Sequence, residues 1–194
     1  MDFARHSDCH RTTIVYFLNH GKWDEKILET AIRQSVTEII YEESKRSKKP
    51  ILCIVDDTIF SKTAPSSKVR HPIDSAYFHY SHLKGKSDYG HQAISVLLSC
   101  NGITLHYAVK MYDKSISKID MACEIAQELP SAPNISYLLC DSWYVCGKLM
   151  DAFIKKGFYT IGALKTNRIL YPEGIKESVR VLAERLMEKQ CTSS

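Results

Sequence analysis

The sequence predicts an α/β protein in which a mixed sheet with flanking helices follows an N-terminal helical segment. Two short apolar runs, at 51–55 and 135–140, have the composition of buried strands and end at polar residues. Between them, Asn101-Gly102 separates two further apolar runs, which is a strong signal for a β-hairpin. Helical and strand patterns then alternate. A hairpin followed by this alternation favours a mixed sheet with helices packed on it.

Residues 1–48 are predicted to be helical. A short apolar segment at 12–18 stops at His20-Gly21, and a longer helix begins near Trp23. Pro50 prevents this second helix from continuing, because proline lacks the backbone N–H of the helical ladder. The apolar positions of the second helix follow helical spacing, and they are Leu28, Ala31, Ile32, Val36, Ile39 and Ile40.

The first strand, at 51–55, is predicted to be buried on both faces and to end before Asp56. The stretch 60–89 is predicted to be irregular, and its length indicates a functional or mobile segment. Strands at 91–99 and 103–110 form the hairpin, whose type I′ turn needs positive φ at both central residues.

Beyond the hairpin, the predicted elements are a helix at 118–129, a strand at 135–140, a helix at 143–156 and a fifth strand at 158–164. Ser142 is expected to cap the second of these helices, and Gly157 to close it. The inner face of that helix is predicted to carry Val145, Leu149, Ala152 and Phe153. A last amphipathic helix carries Val179, Leu182, Ala183 and Leu186.

The composition argues against several classes of protein. A hydrophobic fraction of 44% supports a buried core and argues against global disorder. The seven cysteines form no CxxC pair and several lie in apolar runs, so buried thiols in a reducing compartment are expected. No apolar stretch approaches the roughly 20 residues that span a bilayer. A cytoplasmic protein without a membrane partner is expected, and its net charge of +4 permits a nucleic-acid partner.

Three carboxylates stand where predicted strands end. Asp56 and Asp57 follow the first strand, and Asp141 follows the strand at 135–140. Sites in open α/β sheets form at the carboxyl ends of strands, so these side chains converge if the two strands are neighbours. Converging carboxylates suit Mg²⁺, and two such ions about 4 Å apart serve phosphodiester cleavage. The alternative is structural, because Asp also favours turns and helix N-caps.

Four motifs follow the order of the predicted strands. They are Ile54-Val55-Asp56-Asp57-Thr58, Tyr89-Gly90-His91-Gln92, Leu139-Cys140-Asp141-Ser142-Trp143-Tyr144 and Leu164-Lys165-Thr166-Asn167-Arg168. Before them stand His10-Arg11-Thr12-Thr13-Ile14 and Gly21-Lys22-Trp23. In this order, the set resembles DDE-type transposases of bacterial insertion sequences, in the broad group numbered four. The resemblance covers about residues 10–170.

The resemblance implies a ribonuclease-H-like fold, with catalytic carboxylates on the first and fourth strands. Asp56 matches the first of them, with Asp57 as the close alternative, and Asp141 matches the second. Asp56 and Asp141 are the implied ligands of Mg²⁺ or Mn²⁺. The implied activity is cleavage of DNA at transposon ends and joining of the 3′-hydroxyl to target DNA, with self-association left open.

The chain departs from the family pattern at its third carboxylate. That residue is a Glu on a helix beyond the fifth strand, after a strand-rich insertion. The stretch 167–172 resembles the start of the insertion, which does not follow. The chain is therefore expected to comprise a helical segment at 1–48, an incomplete catalytic core at 49–170 and a helical tail at 171–194. This organisation is that of a truncated transposase, which is expected to be inactive alone.

Basic residues supply candidate DNA contacts. The stretch 60–89 mixes lysines with aromatic residues, which suits phosphates and unstacked bases, and Lys84 and Lys86 are predicted contacts. Chance clustering on a solvated loop is the alternative. Lys165 and Arg168 follow the fifth strand, at the sheet end of the Asp residues, and are better placed. A second functional hypothesis is a non-enzymatic fragment that binds DNA or oligomerises and so regulates an intact transposase.

Overall fold

Six strands form one mixed sheet and two short strands form a separate ribbon in the computed structural model, which describes residues 10–22, 24–66, 68, 73–81 and 84–191. The helices are α1 Arg11–His20, α2 Glu25–Ser47, α3 Lys118–Glu128, α4 Gly147–Ile154 and α5 Val179–Cys191. The strands are β1 Leu52–Ser61, β2 Tyr77–Ser81, β3 Lys86–Cys100, β4 Ile103–Tyr112, β5 Ser136–Cys140, β6 Phe158–Gly162, β7 Ile169–Leu170 and β8 Glu177–Ser178.

The large sheet combines antiparallel and parallel pairing. Its order is β2-β3-β1-β5-β6, and β4 also pairs with β3. Gly90 of β3 pairs with Ser61 of β1 and with Tyr77 of β2, so β2 lies opposite β1 and shares the β3 edge with β4. The strands β1, β5 and β6 run parallel, whereas β3 is antiparallel to β1. The predicted α/β architecture with a mixed sheet is confirmed.

The hairpin between β3 and β4 has the predicted turn. Asn101 has φ 48° and Gly102 has φ 86°, as a type I′ turn requires. Asn101 also accepts a 2.7 Å hydrogen bond from Lys49 Nζ and donates a 2.7 Å bond to Glu43 Oε1. The turn is therefore tied to the end of α2.

One face of the sheet carries the core. Cys53 and Val55 of β1 are buried and lie opposite the buried Leu98 and Val96 of β3. The core also contains residues of three helices, including Val36, Ile40, Ile125, Leu149 and Phe153. Alternate strand positions are more open, since Ile54, Leu97 and Leu139 are half-buried and Ile161 is exposed. The first strand is therefore fully buried on one face only, and the prediction of burial on both is wrong.

The N-terminal prediction holds for the described residues, and residues 1–9 and Trp23 lie outside them. The fully buried residues of α2 lie in its second half. Val36 and Ile40 are buried, whereas the predicted core positions Leu28, Ile32 and Ile39 are exposed. The division of the chain into three segments stays a prediction.

Three boundaries differ from the prediction. β1 continues through Asp56 and Asp57 to Ser61, because β3 supplies a partner for each of its residues. Within 60–89, predicted as irregular, residues 77–81 pair with 86–90 and form β2 and the start of β3. α4 begins at Gly147 and not at 143. The turn before α4 is held by the side chain of Asp141 and not by that of Ser142.

None of the helices in the described parts of the chain is both long and apolar enough to cross a membrane.

Candidate active site

The parallel pairing of β1 with β5 places the predicted carboxylates at one end of the sheet. Val55 and Cys140 form the last pair between these strands. Beyond this pair β5 ends, whereas β1 continues through Asp56 and Asp57. Asp141 follows β5 directly. The two strands are neighbours, so the condition for convergence of the carboxylates is met.

The side chains of Asp56 and Asp57 leave β1 on opposite faces, because successive residues of a strand alternate. Asp57 shares the face of Val55, on which the helices pack, and its side chain is 19% exposed. Asp56 lies on the open face and is exposed. Its Oδ1 accepts a 2.8 Å hydrogen bond from the backbone N–H of Asp57.

The carboxylate of Asp57 is neutralised from within the protein. Its Oδ2 accepts hydrogen bonds from Gln92 Nε2 of β3 and from Lys118 Nζ at the start of α3. Lys118 is 17% exposed. Its Nζ lies 4.5 Å from the centroid of the Trp143 ring and 5.9 Å from that of Tyr112. The ammonium is therefore held by a carboxylate and two aromatic faces.

Asp141 shapes the turn between β5 and α4. Its Oδ1 accepts hydrogen bonds of 2.9 Å and 3.1 Å from the backbone N–H groups of Trp143 and Tyr144. The structural role that Asp favours after a strand is thus observed, and it corrects the cap assigned to Ser142. These two bonds fix Asp141 on the segment that carries Trp143, the ring beneath Lys118. The contact of Lys118 with Trp143 therefore connects Asp57 to the turn that carries Asp141.

Tyr144 follows the Asp141 turn and belongs to the hydrophobic core. The residue is fully buried, and its hydroxyl has no hydrogen-bond partner among the described residues. Burial raises the pKa of Tyr144 above its ordinary value, and the negative charges of Asp57, Asp141 and Asp56 raise it further. The hydroxyl therefore keeps its proton and remains a donor close to all three carboxylates. Such a buried donor without a partner is uncommon in folded proteins.

His79 of β2 flanks the same region. It is buried, its Nε2 has no partner among the described residues, and its ring centroid lies 6.2 Å from that of Tyr112. Burial lowers the pKa of His79, and the charges of Lys114 and Lys118 lower it further. The imidazole is therefore neutral over a wider pH range than in a solvated histidine.

Four of these residues were not predicted as site residues: Gln92, Lys118, Tyr144 and His79. The position of Lys118 could have indicated its role. A cation in the first turn of a helix is repelled by the helix macrodipole, so a compensating partner is expected. His79 was not expected on a strand, because the stretch 60–89 was predicted as irregular.

The donor set supports only part of a metal site. Among the described residues, no group of three or more His, Cys, Asp and Glu side chains could hold a metal ion. Mg²⁺, however, often binds through one or two carboxylates and completes its shell with waters and substrate phosphates. Asp57 and Asp141 supply two carboxylates at one end of the sheet, which is fewer than such a group of three.

The predicted DNA-contacting cations differ in their surroundings. Lys84 Nζ lies 2.5 Å from Asp88 Oδ2 and 2.8 Å from Ser61 Oγ, so its charge is compensated. Lys86 is exposed at the start of β3.

Lys165 and Arg168 follow β6, which runs parallel to β5, and they therefore lie at the sheet end of Asp141. Lys165 is exposed and Arg168 is half-buried. The backbone N–H of Arg168 donates a 3.0 Å bond to the carbonyl of Lys165, which closes a turn.

Comparison of the chain with protein-family models, curated proteins and solved structures finds no match in any of the three.

Proposed function

We propose that this chain carries part of the catalytic site of a DNA strand-transfer enzyme of the DDE transposase type. The observation that carries the proposal is the parallel pairing of β1 with β5, which brings Asp57 and Asp141 to one end of the sheet. Two carboxylates at the ends of neighbouring strands form an arrangement suited to a divalent ion.

The topology supports the ribonuclease-H-like fold that the sequence resemblance implies. That fold requires catalytic carboxylates on the first and fourth predicted strands, which correspond to β1 and β5, since β2 was not predicted. β1 and β5 are central neighbours, with the hairpin strand β3 on one side and β6 on the other. The helices α3 and α4 connect β4 to β5 and β5 to β6.

Asp57 is the better candidate for the first carboxylate, and Asp56 remains the alternative. Asp57 lies on the face that carries Lys118 and Tyr144, and Trp143 brings the Asp141 turn to the same face.

In this mechanism, Asp57 and Asp141 would hold a divalent ion, and that ion would supply activation of the attacking oxygen and stabilisation of the leaving oxygen. The turn bonds from Trp143 and Tyr144 fix the orientation of Asp141. Lys165 and Arg168 bind the DNA phosphate at the same sheet end, as cations generally do for phosphate oxygens. The Tyr144 hydroxyl would serve as a buried hydrogen-bond donor at this site.

A plasmid-nicking assay in Mg²⁺ or Mn²⁺, run beside a DNA-binding assay, tests the proposal. We expect slow nicking that requires the metal and disappears in Asp57→Ala and Asp141→Ala, while both variants still bind DNA. Nicking that persists in both variants contradicts the proposal.

A non-enzymatic DNA-binding role is the second candidate, since Lys86 and Lys165 are exposed and no group of three metal-binding side chains occurs among the described residues. DNA binding without any nicking, unchanged by metal and by both substitutions, favours this second function.

A further inference from the structure

We propose that the Lys118 ammonium takes the place of the divalent ion in the free protein and competes with that ion for Asp57. The inference rests on the proposed function and adds a control on metal loading. It starts from the ion pair between Lys118 Nζ and Asp57 Oδ2, in which both side chains are less than one-fifth exposed. An enclosed pair of this kind is screened by solvent far less than a surface pair.

Lys118 stands in an unfavourable place for a structural cation. It is the first residue of α3, directly after the N-cap Ser117. The positive end of the helix macrodipole repels a cation there. Compensation comes from the Asp57 carboxylate and from the faces of Trp143 and Tyr112. The ammonium is therefore held by the site and not by its own helix.

The ammonium also lies between the two segments that carry the carboxylates. It bonds Asp57 on β1 and lies over Trp143, whose backbone N–H is bound by Asp141. Carboxylates brought together repel unless a cation lies among them. Lys118 supplies that positive charge in the free protein, as a divalent ion does in the loaded one.

A divalent ion and Lys118 cannot share Asp57 Oδ2 without strong repulsion, because both are positive and Coulomb energy grows at short distance. Metal binding therefore requires Lys118 to leave Asp57. Lys118 thus acts as a positioning residue that holds Asp57 and opposes metal loading in the free protein.

The test is the melting temperature (Tm) of the full chain in EDTA and in increasing Mn²⁺, without DNA, for wild type and Lys118→Gln. We expect Lys118→Gln to melt at a lower temperature in EDTA, because the carboxylates lose their counter-ion. We also expect it to bind Mn²⁺ about tenfold more tightly than wild type, since the competitor is gone. Lys118→Arg keeps the charge and is expected to restore the wild-type Mn²⁺ affinity.

Lys148→Gln is the matched control. Its ammonium bonds Asp120 between α4 and α3, outside the site, and its loss is expected to leave Mn²⁺ affinity unchanged. If Lys118→Gln does not fold, Trp143→Leu weakens the same ammonium contact and is expected to raise Mn²⁺ affinity by a smaller factor.

Three results overturn the inference. A lower Tm for Lys118→Gln with unchanged Mn²⁺ affinity shows a purely structural lysine. Unchanged affinity in Trp143→Leu, where Lys118→Gln does not fold, has the same meaning. If neither wild type nor Lys118→Gln binds Mn²⁺, the proposed metal site itself is contradicted. This result differs from Mn²⁺ binding that Lys118→Gln leaves unchanged, which contradicts only the competition by Lys118.

Discussion

Val55 and Cys140 are paired in the parallel ladder between β1 and β5, and they are its last pair. Two residues beyond Val55 stands Asp57, and one residue beyond Cys140 stands Asp141. The register of this single ladder therefore decides that both carboxylates reach the same end of the sheet. Substitutions in the strands, in the turn and at the surrounding charged residues test this arrangement through stability and binding.

Gly90→Ala tests the close approach of β1 and β3. A Cβ at Gly90 overlaps the backbone carbonyl oxygen of Phe60, which cannot move without breaking the pairing of the two strands. We expect a loss of about 2 kcal/mol or more in the free energy of unfolding, measured by urea denaturation. Gly147→Ala is the control, because nothing lies within 4 Å of the added Cβ. Equal stability of the two variants contradicts this account of the Tyr89-Gly90-His91-Gln92 motif.

Tyr144→Phe tests the unpartnered hydroxyl. Because the hydroxyl is buried without a partner among the described residues, its removal is expected to leave the urea midpoint unchanged or to raise stability by about 1 kcal/mol. Mn²⁺ binding is expected to weaken, since the donor near the carboxylates is lost. A large loss of stability with unchanged Mn²⁺ binding shows that the hydroxyl serves the core.

His79 gives the fold a dependence on pH. Because burial and the nearby lysines lower the pKa of His79, the unfolded chain takes up the proton first as the pH falls. Stability is therefore fully present above the unfolded pKa of about 6.5 and decreases below it. Urea midpoints between pH 7.5 and 5.5 are expected to fall less steeply in His79→Gln than in wild type. His106→Gln, at an exposed position of β4, is the control, and equal slopes for His79→Gln and wild type contradict the assignment.

DNA affinity is expected to depend on the turn after β6 more than on the β2–β3 turn. Lys165→Ala and Arg168→Ala each remove a cation at the sheet end of Asp141, so each is expected to weaken binding and to reduce the salt slope of log K by about 1. Lys84→Ala is expected to have a smaller effect, because Asp88 already compensates that charge. DNA affinity is measured by fluorescence anisotropy titration. A larger loss of affinity in Lys84→Ala than in Lys165→Ala and Arg168→Ala contradicts this prediction.

The elements that the sequence predicts well are those encoded locally. Asn101-Gly102 determines its hairpin, because few residues tolerate positive φ at both turn positions. β5 and β6 are compact apolar runs, and their predicted positions match the structure closely. β2 escaped prediction although its partner residues 86–90 lie close in the chain, because its buried positions are the polar His79 and Ser81, whereas Phe78 and Tyr80 are exposed.

The candidate site was predicted in part. The three carboxylates follow recognisable strand patterns, but which face each takes depends on the exact register of β1, since adjacent residues alternate. Lys118 is 61 positions from Asp57 along the chain, and the ion pair between them arises from the tertiary fold. Charge spacing in the sequence could not predict that pair.

The most direct test of the central claim is an Mn²⁺ titration of the full chain, followed by water proton relaxation, in wild type and in three single variants. We expect affinity to fall by at least about tenfold in Asp57→Asn and Asp141→Asn, and to stay unchanged in Asp56→Asn on the opposite face. Equal affinity in wild type, Asp57→Asn and Asp141→Asn contradicts a shared site. A loss confined to Asp56→Asn and Asp141→Asn places the ion on the open face of the sheet and contradicts the choice of Asp57.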